Sequence, residues 1–165
     1  MTKKKYEFTG VTRTIPDGTV LREIRLLRNI WWFKAGDVGG WIESEDNLSH
    51  EGNCWVSGSA MVYESAVVYE SALVSVSARV SGSARVSGSA VVSGEARVFG
   101  SARVYGSARV YGSACVYGSA CVYGSARVFD AACVLEYAQL HGSARVYDSA
   151  IVSGSALLSG EARVR

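Results

Sequence analysis

The 165-residue chain is short of the features that announce most common functions. No apolar run approaches the ~20 residues of a membrane span, and Met1 to Lys5 leads into a polar strand rather than a secretory core, so no membrane is involved and a bacterial cytoplasm is the expected location. The four cysteines, Cys54, Cys115, Cys121 and Cys133, form no Cys-X-X-Cys pair and have no histidine at metal-ligand spacing; no metal and no cofactor are expected, and the thiols are read as reduced. Gly39-Gly40 lacks the Lys-Ser/Thr of a phosphate loop. Neither Lys nor Thr occurs after residue 54, and a solenoid without Thr does not suit ice binding. The formal net charge of +2 is too small to argue for nucleic acid by itself.

What is present is a period. From Val56 to Val164 a small aliphatic residue returns every six positions, and the residue two places before it is always small, as in Cys54, Ala60, Ala66 and onward to Ala162. A typical unit is Ser-Ala-Arg-Val-Tyr-Gly at Ser101 to Gly106. Alternation over Ala-Arg-Val is the period-2 mark of a strand with Ala and Val inward and Arg outward, and Gly-Ser supplies the turn. Six residues per side fit a triangular parallel β-helix, or β-solenoid, of 18 residues per coil, about six coils and a rod of ~30 Å. The chain is therefore expected to be all-β, with residues 47–165 forming the solenoid and residues 1–46 a small β-rich cap. In the cap, strands are expected at Tyr6 to Phe8, Val20 to Ile30 and Trp31 to Phe33, around a turn at Pro16-Asp17-Gly18. The outward column begins with Trp55, Met61, Val67 and Leu73 instead of Arg, which points to apolar cover from the cap.

These hexads resemble the hexapeptide-repeat left-handed β-helix group, most closely the YdcK-like β-solenoid repeat of phage, prophage and bacterial proteins. Ala35-Gly-Asp-Val-Gly-Gly-Trp-Ile-Glu43, Asn47-Leu48-Ser49 and Gly52-Asn-Cys-Trp-Val56 look like that group's start of the solenoid. The resemblance implies a left-handed coil and a phage or prophage setting.

Sorting the outward positions by 18 gives three faces. The first stacks Trp55, Leu73, Val91, Arg109, Arg127, Arg145 and Arg163, with Tyr111, Phe129 and Tyr147 alongside the arginines. The second stacks Met61, Arg79, Arg97, Cys115, Cys133 and Ile151, and the third Val67, Arg85, Arg103, Cys121, Gln139 and Leu157. Only the first holds four arginines in register. Repulsion between stacked guanidinium groups is expected to be offset in part by cation–π contacts with the adjacent rings. Arg109, Tyr111, Arg127, Phe129, Arg145, Tyr147 and Arg163 form the candidate strip for an acidic protein partner, because Arg and Tyr dominate interface hot spots. The bland alternative is a solvated sheet face whose Arg stems cover the strands. The outward column turns apolar again at Ile151 and Leu157, which with Leu158 suggests a homodimer through the C-terminal coils.

Catalysis has no visible home. Hexapeptide β-helix acyltransferases use a His base in a cleft between subunits, usually beside a loop that breaks the coils; here the hexads run unbroken, His50 lies at the cap junction, and His141 replaces a Tyr in the row Tyr105, Tyr123, His141. Asp130 and Asp148, one coil apart at Gly positions, are read as turn formers. The expected function is a non-enzymatic, phage- or prophage-encoded scaffold that binds a host protein and inhibits a host defence complex. Nucleic-acid binding is the first alternative, favoured by Arg beside rings and opposed by acids at the turns. An acyltransferase is the second.

Overall fold

A computed structural model describes residues 3–165. Among them, nineteen two-residue strands run from Trp55–Val56 to Arg163–Val164, one in every hexad. The outward member of each pair is followed by a core residue, and strands 18 residues apart pair in parallel, as in Arg109↔Arg127 and Val110↔Val128. Backbone hydrogen bonds tie each coil to the next: the Arg79 N–H donates to the Ala96 oxygen at 2.9 Å and the Ser81 N–H to the Val98 oxygen at 3.0 Å. From Cys54 to Leu140 every Ala and Val of the inward columns is fully buried. The interior is a narrow prism of methyl groups, too thin for an internal pocket.

The corners explain why the hexad has six members. Every sixth residue from Gly52 to Gly160 takes a φ between 56° and 70°, the left-handed region in which a side chain is strained. Six corners are not glycine: Glu64, Glu70, Val76, Asp130, Glu136 and Asp148. Five of these are acids, and four of the acids compensate for the strain with a carboxylate that accepts the corner N–H of the next coil. Glu64 binds Gly82, Glu70 binds Gly88, Glu136 binds Gly154, and Asp130 Oδ2 accepts from the Asp148 N–H at 3.2 Å. Asp130 and Asp148 are thus turn residues.

The cap is a hairpin of β1 (Tyr6–Thr14) and β2 (Val20–Leu26), joined to β3 (Val38–Ile42). β1 runs well beyond the expected Phe8, and the Gly18 N–H closes the turn on the Ile15 oxygen at 2.9 Å. Two expectations need correction. β2 stops at Leu26 instead of reaching Ile30, because Asn29 Oδ1 and Asp37 Oδ2 capture the N–H groups of Ala35 and Lys34, each at 2.9 Å, and hold residues 27–37 as a loop. Trp31 to Phe33 is a tight reversal, not a strand: Ile30 and Phe33 exchange both backbone hydrogen bonds, at 3.1 and 2.8 Å.

β3 joins cap and rod. It pairs antiparallel with β2 and parallel with Met61–Val62, so that cap and second face form one nine-stranded sheet. Leu48 bridges Val68 in parallel on the third face. Stacking therefore begins at Trp41, before residue 47, and with this first turn the solenoid has about seven turns. Gly39 and Gly40 allow the approach: a Cβ on Gly39 would overlap the Trp55 ring, and one on Gly40 would lie 2.7 Å from the Ala60 oxygen. No helix among the described residues is long and apolar enough to cross a membrane.

Candidate functional site

The first face is a seven-stranded parallel sheet, and it places the strip residues as the period predicts. Arg109, Arg127, Arg145 and Arg163 stand in direct register, one per coil. With neighbouring strands ~4.8 Å apart, their charges form a closely spaced row. Among the described residues, no carboxylate lies within ion-pairing distance of any of the four; Asp148 pairs instead with Arg165, at 2.8 Å. The row makes no direct ion pair, although Glu161 shares a cleft with Arg145 and Arg163, so its repulsion is moderated mainly by solvent and salt.

The rings beside it behave differently from expectation. Tyr111 and Phe129 stack with centroids 5.1 Å apart and planes 4° from parallel, and Phe129 and Tyr147 with 5.3 Å and 8°. The expected cation–π contacts with the strip arginines are not formed: among the described residues such contacts occur only in the cap, Arg13 over Trp41 and Arg22 over Phe8. Parallel in-register strands hold equivalent side chains face to face, so ring meets ring and guanidinium meets guanidinium. The result is two parallel ladders, one of charge and one of rings, and both keep solvent-accessible surface.

The other faces carry shorter versions. Arg79 pairs with Arg97 and Arg85 with Arg103, while Phe99 stacks on Tyr117, and Tyr105, Tyr123 and His141 form a second ring ladder. Cys115 and Cys133 are register partners and free thiols; burial, and then the neighbouring Cys133, pushes the Cys115 thiol up and so favours its protonated form.

At the cap end the four apolar outward residues meet different surroundings. Trp55 is fully buried and tilts against Tyr6 and Phe33. Met61 is buried and lines a cleft together with Pro16 and Asp17 of the hairpin turn. Val67 is half-buried on the third face beside Arg85, and Leu73, also half-buried, lines a cleft with Trp32. Two features of this junction had no sequence signal. Lys5 is fully buried and donates from Nζ to the Cys54 oxygen at 2.6 Å and to Sγ at 3.0 Å; burial lowers the lysine's proton affinity and raises the pKa of the thiol. Tyr6 donates its hydroxyl to the Leu48 oxygen at 2.8 Å and stacks on His50, at 4.2 Å.

The junction also presents an exposed aromatic pair. Trp31 has φ 45°, a conformation that costs a bulky residue about 1–3 kcal/mol. That reversal holds Trp32 out to solvent, 69 % exposed, stacked on Trp31 at 5.6 Å. At the other end of the rod, Ile151 and Leu157 are 68 % and 62 % exposed, whereas Leu158 points inward and is half-buried against the core.

No curated protein matches the chain. The family model described as the YdcK beta solenoid repeat matches residues 78–94, 96–112 and 102–118, which include Arg109 and Tyr111 of the strip. The middle coils thus carry YdcK-like β-solenoid repeats, in agreement with the parallel three-faced stack that the whole rod displays.

Proposed function

We propose that this protein is a non-enzymatic interaction scaffold that binds an acidic protein partner along the first face. The observation that carries the reading is the unpaired row Arg109, Arg127, Arg145 and Arg163 beside the stacked rings of Tyr111, Phe129 and Tyr147. A rigid sheet has little conformational freedom to lose on binding, so more of the contact energy is retained as affinity. In the setting that the resemblance implies, the chain is phage- or prophage-encoded, works in a bacterial cytoplasm and occupies a surface that a host defence complex needs.

The test is affinity capture from bacterial lysate with quantitative mass spectrometry, using three baits. Changing Arg109, Arg127 and Arg145 to Ser is expected to abolish a specific capture. Changing Arg79, Arg85 and Arg97 to Ser removes the same charge from the other faces and is expected to leave it intact. Equal loss in both variants refutes the face-specific reading.

Nucleic-acid binding is the second reading, favoured by the same Arg and ring ladders. Asp130 and Asp148 flank the first face and oppose a continuous polyanion. A salt-sensitive gel shift with single-stranded DNA is its signature, and no shift at micromolar protein and low salt removes it.

A further inference from the structure

A cleft of about 420 Å³ lies where the cap meets the first face, lined by Trp32, Leu73, Val91, Ser93, Arg109, Tyr111 and Arg127. We infer that this cleft is an anchor pocket, which takes an apolar or aromatic side chain from an acidic peptide segment of the partner while its flanking carboxylates engage Arg109 and Arg127. The inference rests on the proposed protein-binding role of the first face and adds the position and chemistry of its anchor.

Three observations carry it. The pocket's wall is a run of touching rings: Trp55 is buried, Phe33 tilts on it at 6.4 Å, Trp32 on Phe33 at 5.5 Å, and Trp31 stacks on Trp32. This chain of rings leads from the core to a largely exposed indole, and the left-handed Trp31 backbone sets its direction. Its floor is aliphatic, because Leu73 and Val91 are the last apolar members of the outward column before Arg109. Its far end is cationic, and neither Arg109 nor Arg127 has a carboxylate partner among the described residues. Apolar burial next to free guanidinium groups asks for an apolar residue with acids beside it in sequence. A single-stranded nucleic acid fits less well: its phosphates continue along the face, where Asp130, at the corner just after Arg127, and Asp148, one coil further, interrupt the positive surface beyond the cleft.

The experiment uses the full chain, labelled with nitrogen-15, and a capped heptapeptide of three aspartates, one phenylalanine and three aspartates. Three comparison ligands are the same peptide with glycine for phenylalanine, the same with lysine for every aspartate, and a ten-nucleotide thymidine oligomer. The acidic phenylalanine peptide is expected to shift the Trp32 indole N–H resonance saturably. Trp32→Ala, an exposed position, is expected to weaken binding at least tenfold while resonances of the distant coils stay in place. Loss of the phenylalanine, or Arg109→Ser with Arg127→Ser, is expected to weaken it as much, and the lysine peptide is expected not to bind. Shifts confined to Arg145 and Tyr147, with Trp32 unmoved, overturn the cleft and leave the strip standing. Absence of any shift at millimolar peptide overturns the cleft, whatever lysate capture shows for the strip. Binding of the oligomer in preference to the peptide overturns both in favour of nucleic acid.

Discussion

Truncating one core valine in mid-rod, Val110→Ala, tests the packing that holds both ladders in place. Val110 is fully buried and stacked between Val92 and Val128. Removing two methyl groups forfeits ~1.6 kcal/mol of transfer energy at about 0.8 kcal/mol per carbon. The void does not close, because its walls are hydrogen-bonded coils that cannot approach below the strand spacing; a hole of roughly 50 Å³ adds ~1.2 kcal/mol at ~24 cal/mol per Å³. The expected loss is about 2–3 kcal/mol, read as a lower urea midpoint with an unchanged slope. Arg109→Ala, one residue away on the same strand, removes an exposed side chain and is expected to change stability by less than ~0.5 kcal/mol. Hydrogen exchange provides a local check, since in a stacked-repeat molecule the weakened coil and its neighbours lose protection first. If the two substitutions have equal effects, or if Val110→Ala is neutral, the inward and outward assignments fail.

Three further outcomes are expected. Gly39→Ala forces a methyl group against the Trp55 ring, the Val56 oxygen and Ile24, and is expected to cost at least ~2–3 kcal/mol of cap docking, seen as a red-shifted Trp fluorescence with the solenoid's circular dichroism retained. Burial pushes the Tyr6 phenol above its ordinary value of 10.0, so its contribution is fully present below 10.0 and is lost progressively as pH rises from there through the raised folded-state value; the cap is expected to loosen in strong alkali, and Tyr6→Phe to move that transition upward, while a transition unmoved by Tyr6→Phe assigns the loosening elsewhere. If the exposed Ile151 and Leu157 hold two copies together, Ile151→Ser with Leu157→Ser is expected to halve the mass measured by light scattering, and a wild-type monomer refutes the homodimer.

The rod was almost wholly legible in the sequence because its period is short and rigidly kept. A repeat of six with glycine at the corner leaves no freedom in register, so the period alone assigns each outward residue to its face. The start of the rod was harder to see. Ile42 and Leu48 are six apart and continue the buried column, but the next step, to Val56, is eight residues, and that interruption conceals the first turn. The cap obeys no period, and the backbone geometry that presents Trp32 depends on a left-handed residue no composition rule places at a tryptophan. Lys5 is a more general case: a lysine is expected in water, and only the Cys54 oxygen and sulfur waiting at the junction make its burial tolerable. The strip rings meet one another and not the arginines for a simpler reason: parallel in-register strands set equivalent side chains face to face, a closer geometry than adjacency along one strand provides.

Adjacency of residues eighteen apart on one face underlies the strip and the cleft alike. It is tested by disulfide trapping in a chain whose native cysteines are replaced, with Arg109→Cys and Arg127→Cys in one variant and Arg103→Cys and Arg109→Cys in another. Strand neighbours ~4.8 Å apart fall within the Cα separation a disulfide accepts, so the first pair is expected to close under mild oxidation, while the second, six apart and on different faces, stays reduced. Closure of the second pair, or failure of the first, would contradict the three-faced stack.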